Sequence, residues 1–167
     1  MSGSTVLVAY GSTYGATAEI ASRIGVVLAE HGLTTEVCPA GRVRAVTAYD
    51  GVILGGALYA GRWHRDARRF AGRHRKALGR MPLWLFSSGP LDDSAPTMAP
   101  APGVRRLLHR LDARDHITFG GRLDTTAGGR MARMLVGSGK GGDFRDFEAV
   151  TVWAESVARE LSENVRA

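Results

Sequence analysis

The chain carries one cysteine, Cys38, in 167 residues. A lone thiol excludes an internal disulfide framework and a metal site built from cysteines alone. No apolar run reaches the ~18–20 residues that a helix needs to cross a bilayer. The opening MSGSTVLVAY has no basic stretch leading into an apolar segment and a small-residue cleavage site, so no signal peptide is expected. These absences predict a cytoplasmic protein. The length fits one domain, residues 1–167, with enough chain to bury a proper core.

Charge is present but unevenly placed. The formal net charge is +6, and residues 62–80, RWHRDARRFAGRHRKALGR, hold seven arginines and one lysine against the single acid Asp66. That segment is net +7, more than the whole excess. Between 146 and 163 the sign reverses, with Asp146, Glu148, Glu155, Glu160 and Glu163 balanced only by Arg159. A basic segment of this density attracts nucleic acid, an anionic membrane surface or an acidic partner, or is simply a solvated helix face. Aromatics are sparse in it and no nucleic-acid module is recognisable, so nucleic acid is not expected as the partner.

Four short apolar runs stand out: Thr5–Ala9, Val52–Ala57, Leu83–Phe86 and Ile117–Phe119, with Thr34–Cys38 a weaker fifth. Gly, Pro, Asp or Ser bounds them, and this predicts strands. Between them, apolar residues recur at helical spacing. Thr17–His31 places Ile20, Ile24, Val27 and Leu28 on one face, with Gly32 as its C-cap. Trp63–Leu78 reads as an arginine-rich helix with Phe70 inside. Val104–Leu111 carries Val104, Leu107, Leu108 and Leu111 on one stripe, and Phe147–Leu161 carries Val150, Trp153, Ala154, Val157 and Leu161 on another. Trp84 and Trp153 are expected in the core. Alternating strands and helices predict a parallel sheet covered on both faces, with right-handed crossovers. Ser87–Gly103, rich in proline and glycine, reads as loop. Thr125–Asp143 reads as an extra loop after the fifth strand, with a short helix over Arg130–Val136.

Between the first strand and the first helix stands GSTYGAT, residues 11–17. In an open α/β sheet, ligands bind beyond the carboxyl ends of the strands. A helix N-terminus presents free N–H groups and partial positive charge, so it suits an anion. Ser12, Thr13 and Thr17 add hydroxyl donors, and Gly15 lets the backbone come close or take a positive φ. The loop lacks the lysine of a GxxxxGK[ST] triphosphate loop and the pattern of a GxGxxG dinucleotide fingerprint. It has no acids for a response-regulator site, and Cys38 is in the wrong place for a cysteine phosphatase loop. Dipole and hydroxyls without a cation suit a single phosphomonoester. The same residues also suit a plain turn and helix cap, and spacing alone leaves both readings open.

GSTYGAT resembles the flavodoxin phosphate loop, which runs Ser/Thr-x-Thr-Gly-x-Thr and holds the phosphate of FMN without basic side chains. The resemblance extends over nearly the whole chain. It implies a flavodoxin-like α/β three-layer sandwich with a five-stranded parallel sheet in the order 2-1-3-4-5, and FMN as cofactor. Ser12, Thr13, Tyr14, Gly15, Ala16 and Thr17 would surround the phosphate. Two further loops would flank the flavin ring. The first is GGALYAGRWH, residues 55–64, where the resemblance implies Leu58, Tyr59, Ala60, Gly61 and Trp63 on one face. Tyr59 is the first candidate for ring contact and Trp63 the second. The second is SSGPLDD, residues 87–93, whose backbone around Ser88, Gly89 and Leu91 would meet the polar edge of the ring. In the family, a glycine of the third-strand loop turns its peptide so that a carbonyl accepts a hydrogen bond from reduced flavin, and Gly61 resembles that glycine.

Typical flavodoxins are acidic electron carriers. Here Arg62 follows Gly61 and the basic segment follows both, so cations near the ring are expected to raise its potential. The closer resemblance is to the flavodoxin-type, menaquinone-dependent protoporphyrinogen dehydrogenases of heme synthesis. GGALYAGRWHRDARRF resembles their third-strand loop and following helix start, an extra segment follows the fifth strand, and GGDFRDFEAVTVWAESVA resembles the start of their last helix. This implies an FMN-dependent oxidoreductase whose small hydrophobic partner is a porphyrinogen or quinone. His64 is a candidate for moving protons near the flavin, or a structural residue at a helix start. Arg130, Met131, Arg133, Met134 and Leu135 would contact a hydrophobic acceptor or the inner face of a membrane, peripherally, or pack on the sheet edge. Two other readings stay open. One is a one-electron carrier whose basic helix docks a redox partner protein. The other is a regulatory or binding protein that keeps the fold without FMN. No metal is required, because the chemistry belongs to the flavin.

Overall fold

Five strands run parallel: β1 (Thr5–Gly11), β2 (Thr34–Pro39), β3 (Gly51–Tyr59), β5 (Leu83–Ser88) and β6 (Asp115–Phe119). They lie in the order β2-β1-β3-β5-β6, which is the expected 2-1-3-4-5 when the parallel strands alone are counted. The computed structural model describes residues 3–123 and 142–166. The intervening strand β4 (Arg62–Trp63) folds back antiparallel on the end of β3, with Leu58 opposite Trp63 and Tyr59 opposite Arg62. Helices α1 (Ala16–Glu30), α2 (Arg65–Arg73), α3 (Arg75–Leu78), α4 (Pro102–Arg110) and α5 (Phe147–Arg166) cover the sheet. A small antiparallel ribbon, β7 (Arg122–Leu123) with β8 (Gly142–Asp143), stands apart from it.

Alternate residues of the central strands go to opposite faces, and both faces are buried. Val6 and Val8 of β1, Ile53 of β3 and Trp84 and Phe86 of β5 meet Ile20, Ile24 and Leu28 of α1 and Trp153, Val157 and Leu161 of α5. Leu7 and Ala9, Val52 and Leu54, and Leu83 and Leu85 meet Ala67 and Phe70 of α2, Leu78 of α3 and Val104 of α4. This is why these strands read as continuous apolar runs: a parallel sheet between two helical layers has no wet face. Trp84 and Trp153 lie in the core as expected, at 0% and 6% exposure.

Helix ends follow local chemistry. Gly32 and Leu33 close α1 by donating to the Ala29 and Leu28 carbonyls at 3.0 and 3.2 Å, the paired bonds of a Schellman motif. Asp146 caps α5, its Oδ1 accepting from the Ala149 N–H at 3.1 Å.

One expected element is different. The single helix over Trp63–Leu78 is instead a strand, a helix and a second short helix. Trp63 belongs to β4, α2 starts at Arg65, and the chain bends at His74 (φ −103°, ψ 19°) before α3. The hairpin holds Trp63 in extended backbone, where the His64 N–H donates to the Ala57 carbonyl at 2.8 Å. At the bend, His74 turns into the interior against the Phe70 ring, 4.7 Å between centroids. Most of the expected extra loop, including the helix over Arg130–Val136 and the contact group Arg130, Met131, Arg133, Met134 and Leu135, lies outside the described residues.

Candidate functional site

Loop 12–15 leaves the C-terminal end of β1, and α1 starts directly behind it. Gly15 is the N-cap, held at φ +84°, and no side chain caps the helix. Glycine is the residue that takes this left-handed geometry without a Cβ clash. The Ser12 hydroxyl accepts from the Gly15 N–H at 3.2 Å and so braces the turn. The N–H groups of Ala16, Thr17 and Ala18 find no acceptor among the described residues. Thr17 is fully buried, and its hydroxyl has no hydrogen-bond partner among the described residues. An orphaned hydroxyl beside free N–H groups at the positive end of a helix is the donor set of an anion site.

One acid stands in the first turn of α1, Glu19, and it is neutralised. Arg145 Nη1 pairs with its Oε2, and Arg122 Nη1 lies 3.5 Å from the same oxygen. Arg145 also grips Asp143 of β8, Nη2 to Oδ2 at 2.9 Å. Those bonds hold the Asp143 carboxyl below the usual carboxylate range and push the Arg145 guanidinium further up. The clamp ties the ribbon and the start of α5 to the start of α1, and Glu19 no longer opposes an anion there.

The β3–β4 hairpin rises beside this loop. Its two turn residues, Ala60 and Gly61, have φ of 50° and 75°, the positive pair that a type I′ turn requires and that glycine favours. Tyr59 leans from the hairpin over loop 12–15. Its hydroxyl accepts from the Thr13 N–H at 3.3 Å, and its ring meets Tyr14 edge-on at 6.2 Å. On its other side lies the His64 ring at 6.0 Å.

His64 is the N-cap of α2. Its Nδ1 accepts from the Asp66 N–H at 3.1 Å, and its Nε2 lies 3.0 Å from the Thr13 hydroxyl. An Nδ1 that accepts leaves the ring proton on Nε2, which then donates to Thr13 Oγ1. His64 thus ties loop 12–15 to the start of α2.

Trp63, the second aromatic candidate, is 3% exposed and packs with the α2 layer. Its indole lies directly over Gly56, where an added Cβ would come within 2.8 Å. Its Nε1 donates to Ser87 Oγ at 2.9 Å, and Ser87 Oγ in turn lies 2.8 Å from His116 Nε2. The side chain is therefore committed to the core, and Tyr59 is the aromatic at the loop cluster.

The third loop follows β5. Gly89 lies against Leu58, so that a Cβ there would be 2.6 Å from Leu58 Cβ. Its N–H is taken by the Phe119 carbonyl at 3.2 Å, and Ser88 is buried at 2% exposure. The Leu91 N–H finds no acceptor among the described residues. The loops after β1, β3 and β5 thus meet at one end of the sheet, where strand order reverses between β1 and β3.

A family model described as the flavodoxin domain matches residues 7–139. The chain belongs to the flavodoxin domain family. Solved structures agree on the fold. This flavodoxin domain is similar to a flavodoxin from the domain Archaea at 13% identity and TM-score 0.62, over 95% of this chain and 99% of that one. It is similar to a cysteine-to-serine variant of flavodoxin from Pseudomonas aeruginosa at 16% identity and TM-score 0.63, again over 95% and 99%. It also matches the rubredoxin oxygen:oxidoreductase of Desulfovibrio gigas at 12% identity and TM-score 0.66, over 98% of this chain and 37% of that one. The chain thus spans little more than a third of that enzyme's length. No curated protein matches the sequence.

Membership of the flavodoxin domain family implies FMN binding. The residues of this flavodoxin domain fit the group. The orphaned Thr17 hydroxyl and the open N-terminus of α1 are unmet donors at the place where a phosphate is expected, and the neighbouring acid is already paired.

Several residues of the site escaped the sequence reading. Arg145 offered only the alternation of acid, aromatic and base in DFRDF, and its partner Glu19 lies 126 positions away. Ser87 and His116 offered no local signal, since their bond spans 29 positions between two strands.

Proposed function

We propose that this flavodoxin domain is an FMN-dependent redox protein. Ser12–Thr17 form its phosphate loop, and the ring lies between Leu58–Gly61 and Ser88–Leu91. The observation that carries the reading is Thr17, a fully buried hydroxyl with no partner among the described residues, beside three N–H groups that also find no acceptor there. FMN supplies the electron-accepting and electron-donating chemistry. The chain's residues do the rest. The Ala16, Thr17 and Ala18 N–H groups and the Thr13 and Thr17 hydroxyls hold the phosphate. His64 orients Thr13, Tyr14 and Tyr59 shield the loop, and the Leu91 N–H is free to meet the polar edge of the ring.

The finer reading is an oxidoreductase that takes a porphyrinogen and passes electrons to a quinone-type acceptor. Its support is the likeness of residues 55–70 and 141–158 to the protoporphyrinogen dehydrogenases. In this form the protein works in the cytoplasm, peripherally at a membrane's inner face, because such substrates are apolar. No helix among the described residues is long and apolar enough to cross a membrane. A second reading, a one-electron carrier for a redox partner protein, is supported by likeness to flavodoxins over nearly their full length.

The test is an absorption spectrum after mixing the purified chain with FMN and passing it through gel filtration. A stoichiometric flavin spectrum is expected, and a colourless protein sinks the proposal. Turnover of a porphyrinogen or a quinone by the loaded protein separates the enzyme from the carrier.

A further inference from the structure

A cavity of about 390 Å³ opens beside the β3–β4 hairpin, between β4, α2 and α4. Its floor is apolar, built from Trp63, Val104 and Leu107, and its rim carries Arg62, Arg68, Arg106 and Arg110, with no acid among the described lining residues. None of these four guanidinium groups pairs with a carboxylate among the described residues. Arg68 is held in place, its Nε donating to the Trp63 carbonyl at 3.0 Å. The start of α4 faces the same space. Pro102 opens that helix, no side chain caps it, and its first turn has no acid. Four like charges and a positive helix end around one concavity raise its potential and repel one another until an anion enters.

We infer that this cavity binds an organic anion with an apolar body and one or more carboxylate or phosphate groups. The volume is that of a small-molecule pocket. Guanidinium forks pair two-pronged with carboxylate or phosphate oxygens, and the apolar floor takes the ligand's body. Gly61 lines the cavity and belongs to the hairpin that borders the proposed ring site. A ligand seated here therefore lies against the hairpin between itself and the flavin.

The test is calorimetric titration of the full chain, with and without FMN, using three naphthalene probes: 2-naphthoate, 2-naphthyl phosphate and uncharged 2-naphthalenemethanol. At least one anion is expected to bind, and the neutral probe at least about tenfold more weakly. Whether naphthoate or naphthyl phosphate binds tighter tells carboxylate from phosphate ligands. The double variant Arg106→Gln, Arg110→Gln should lose at least about tenfold in anion affinity while FMN uptake is unchanged. The control is Arg73→Gln, Lys76→Gln in the second basic cavity, where His74 and Arg44 also stand, and it should bind the anion as before. Equal binding of the neutral probe, or full anion binding by the Arg106, Arg110 variant, overturns the proposal. If FMN binds and neither anion does, the cavity assignment alone fails. If FMN does not bind and the arginine-dependent anion site persists, the redox reading fails and the anion site stands.

Discussion

The Thr13 hydroxyl lies 3.0 Å from His64 Nε2, and that bond ties loop 12–15 to the start of α2. His64 Nδ1 is already accepting from the Asp66 N–H, so the Nε2 proton goes to Thr13. The Thr13 hydroxyl hydrogen is then free to point at a phosphate. His64→Ala should cost about 1 kcal/mol of stability through the lost cap and weaken FMN binding. His64→Asn restores a good cap but is too short to reach Thr13. Thermal melts of His64→Asn should approach wild type, while fluorescence titration still shows weakened FMN binding. Recovery of both together would show that His64 acts only as a cap.

Thr17 separates folding from binding. Its buried hydroxyl has no partner among the described residues, and no hydrogen bond there offsets the cost of desolvating it. Thr17→Val keeps the shape and removes the hydroxyl. Urea unfolding of the FMN-free variant should show a gain of about 0.5–1 kcal/mol. The same substitution should weaken FMN binding by about 1–2 kcal/mol. Loss of stability in the FMN-free protein would mean the hydroxyl serves the fold.

His116 makes stability depend on pH. Ser87 Oγ accepts from Trp63 Nε1 and lies 2.8 Å from His116 Nε2, and a hydroxyl proton donated to that nitrogen suits a neutral ring. Burial pushes His116 down from 6.5 to about 4, with Asp115 opposing in part. Between those values the unfolded chain binds the proton and the folded chain does not. Stability is therefore full above about pH 6.5 and falls as pH drops toward about 4. The His116 share of this loss is at most about 3 kcal/mol. His116→Gln should show a shallower fall than wild type when urea unfolding is compared across that window. Parallel curves would remove the effect from His116.

Arg62 follows Gly61 at the hairpin tip and is exposed. A cation there favours a more negative flavin, an effect that weakens with distance and salt. With FMN bound, Arg62→Gln should lower the midpoint potential, and more so at low ionic strength. Arg75→Gln, beyond the far end of α2, should move it less. Equal shifts from both, or none, would show that the basic segment does not tune the flavin.

Much of the architecture was legible before any coordinates, because it follows from spacing. A strand buried on both faces must be apolar at consecutive positions, and an α-helix on one layer must be apolar at every third or fourth. Val6 to Ala9 and Ile20, Ile24 and Leu28 satisfy both demands. The candidate loop at residues 11–17 stood out because Ser12, Thr13, Gly15 and Thr17 lie close together in the chain, although spacing alone left an anion site and a plain helix cap both open.

Tertiary structure decided the rest. Nothing local says that Trp63 sinks over Gly56 while Tyr59 stays at the loop, because the choice depends on Ser87 waiting across the sheet. Nothing local says that the basic helix bends at His74, since the bend places that ring against Phe70 inside the α2 layer. Arg145 becomes a clamp on Glu19, and four arginines come to line one cavity, only once distant segments pack together. Periodicity records which side of an element is apolar, and the pairing of polar groups is set by which elements meet.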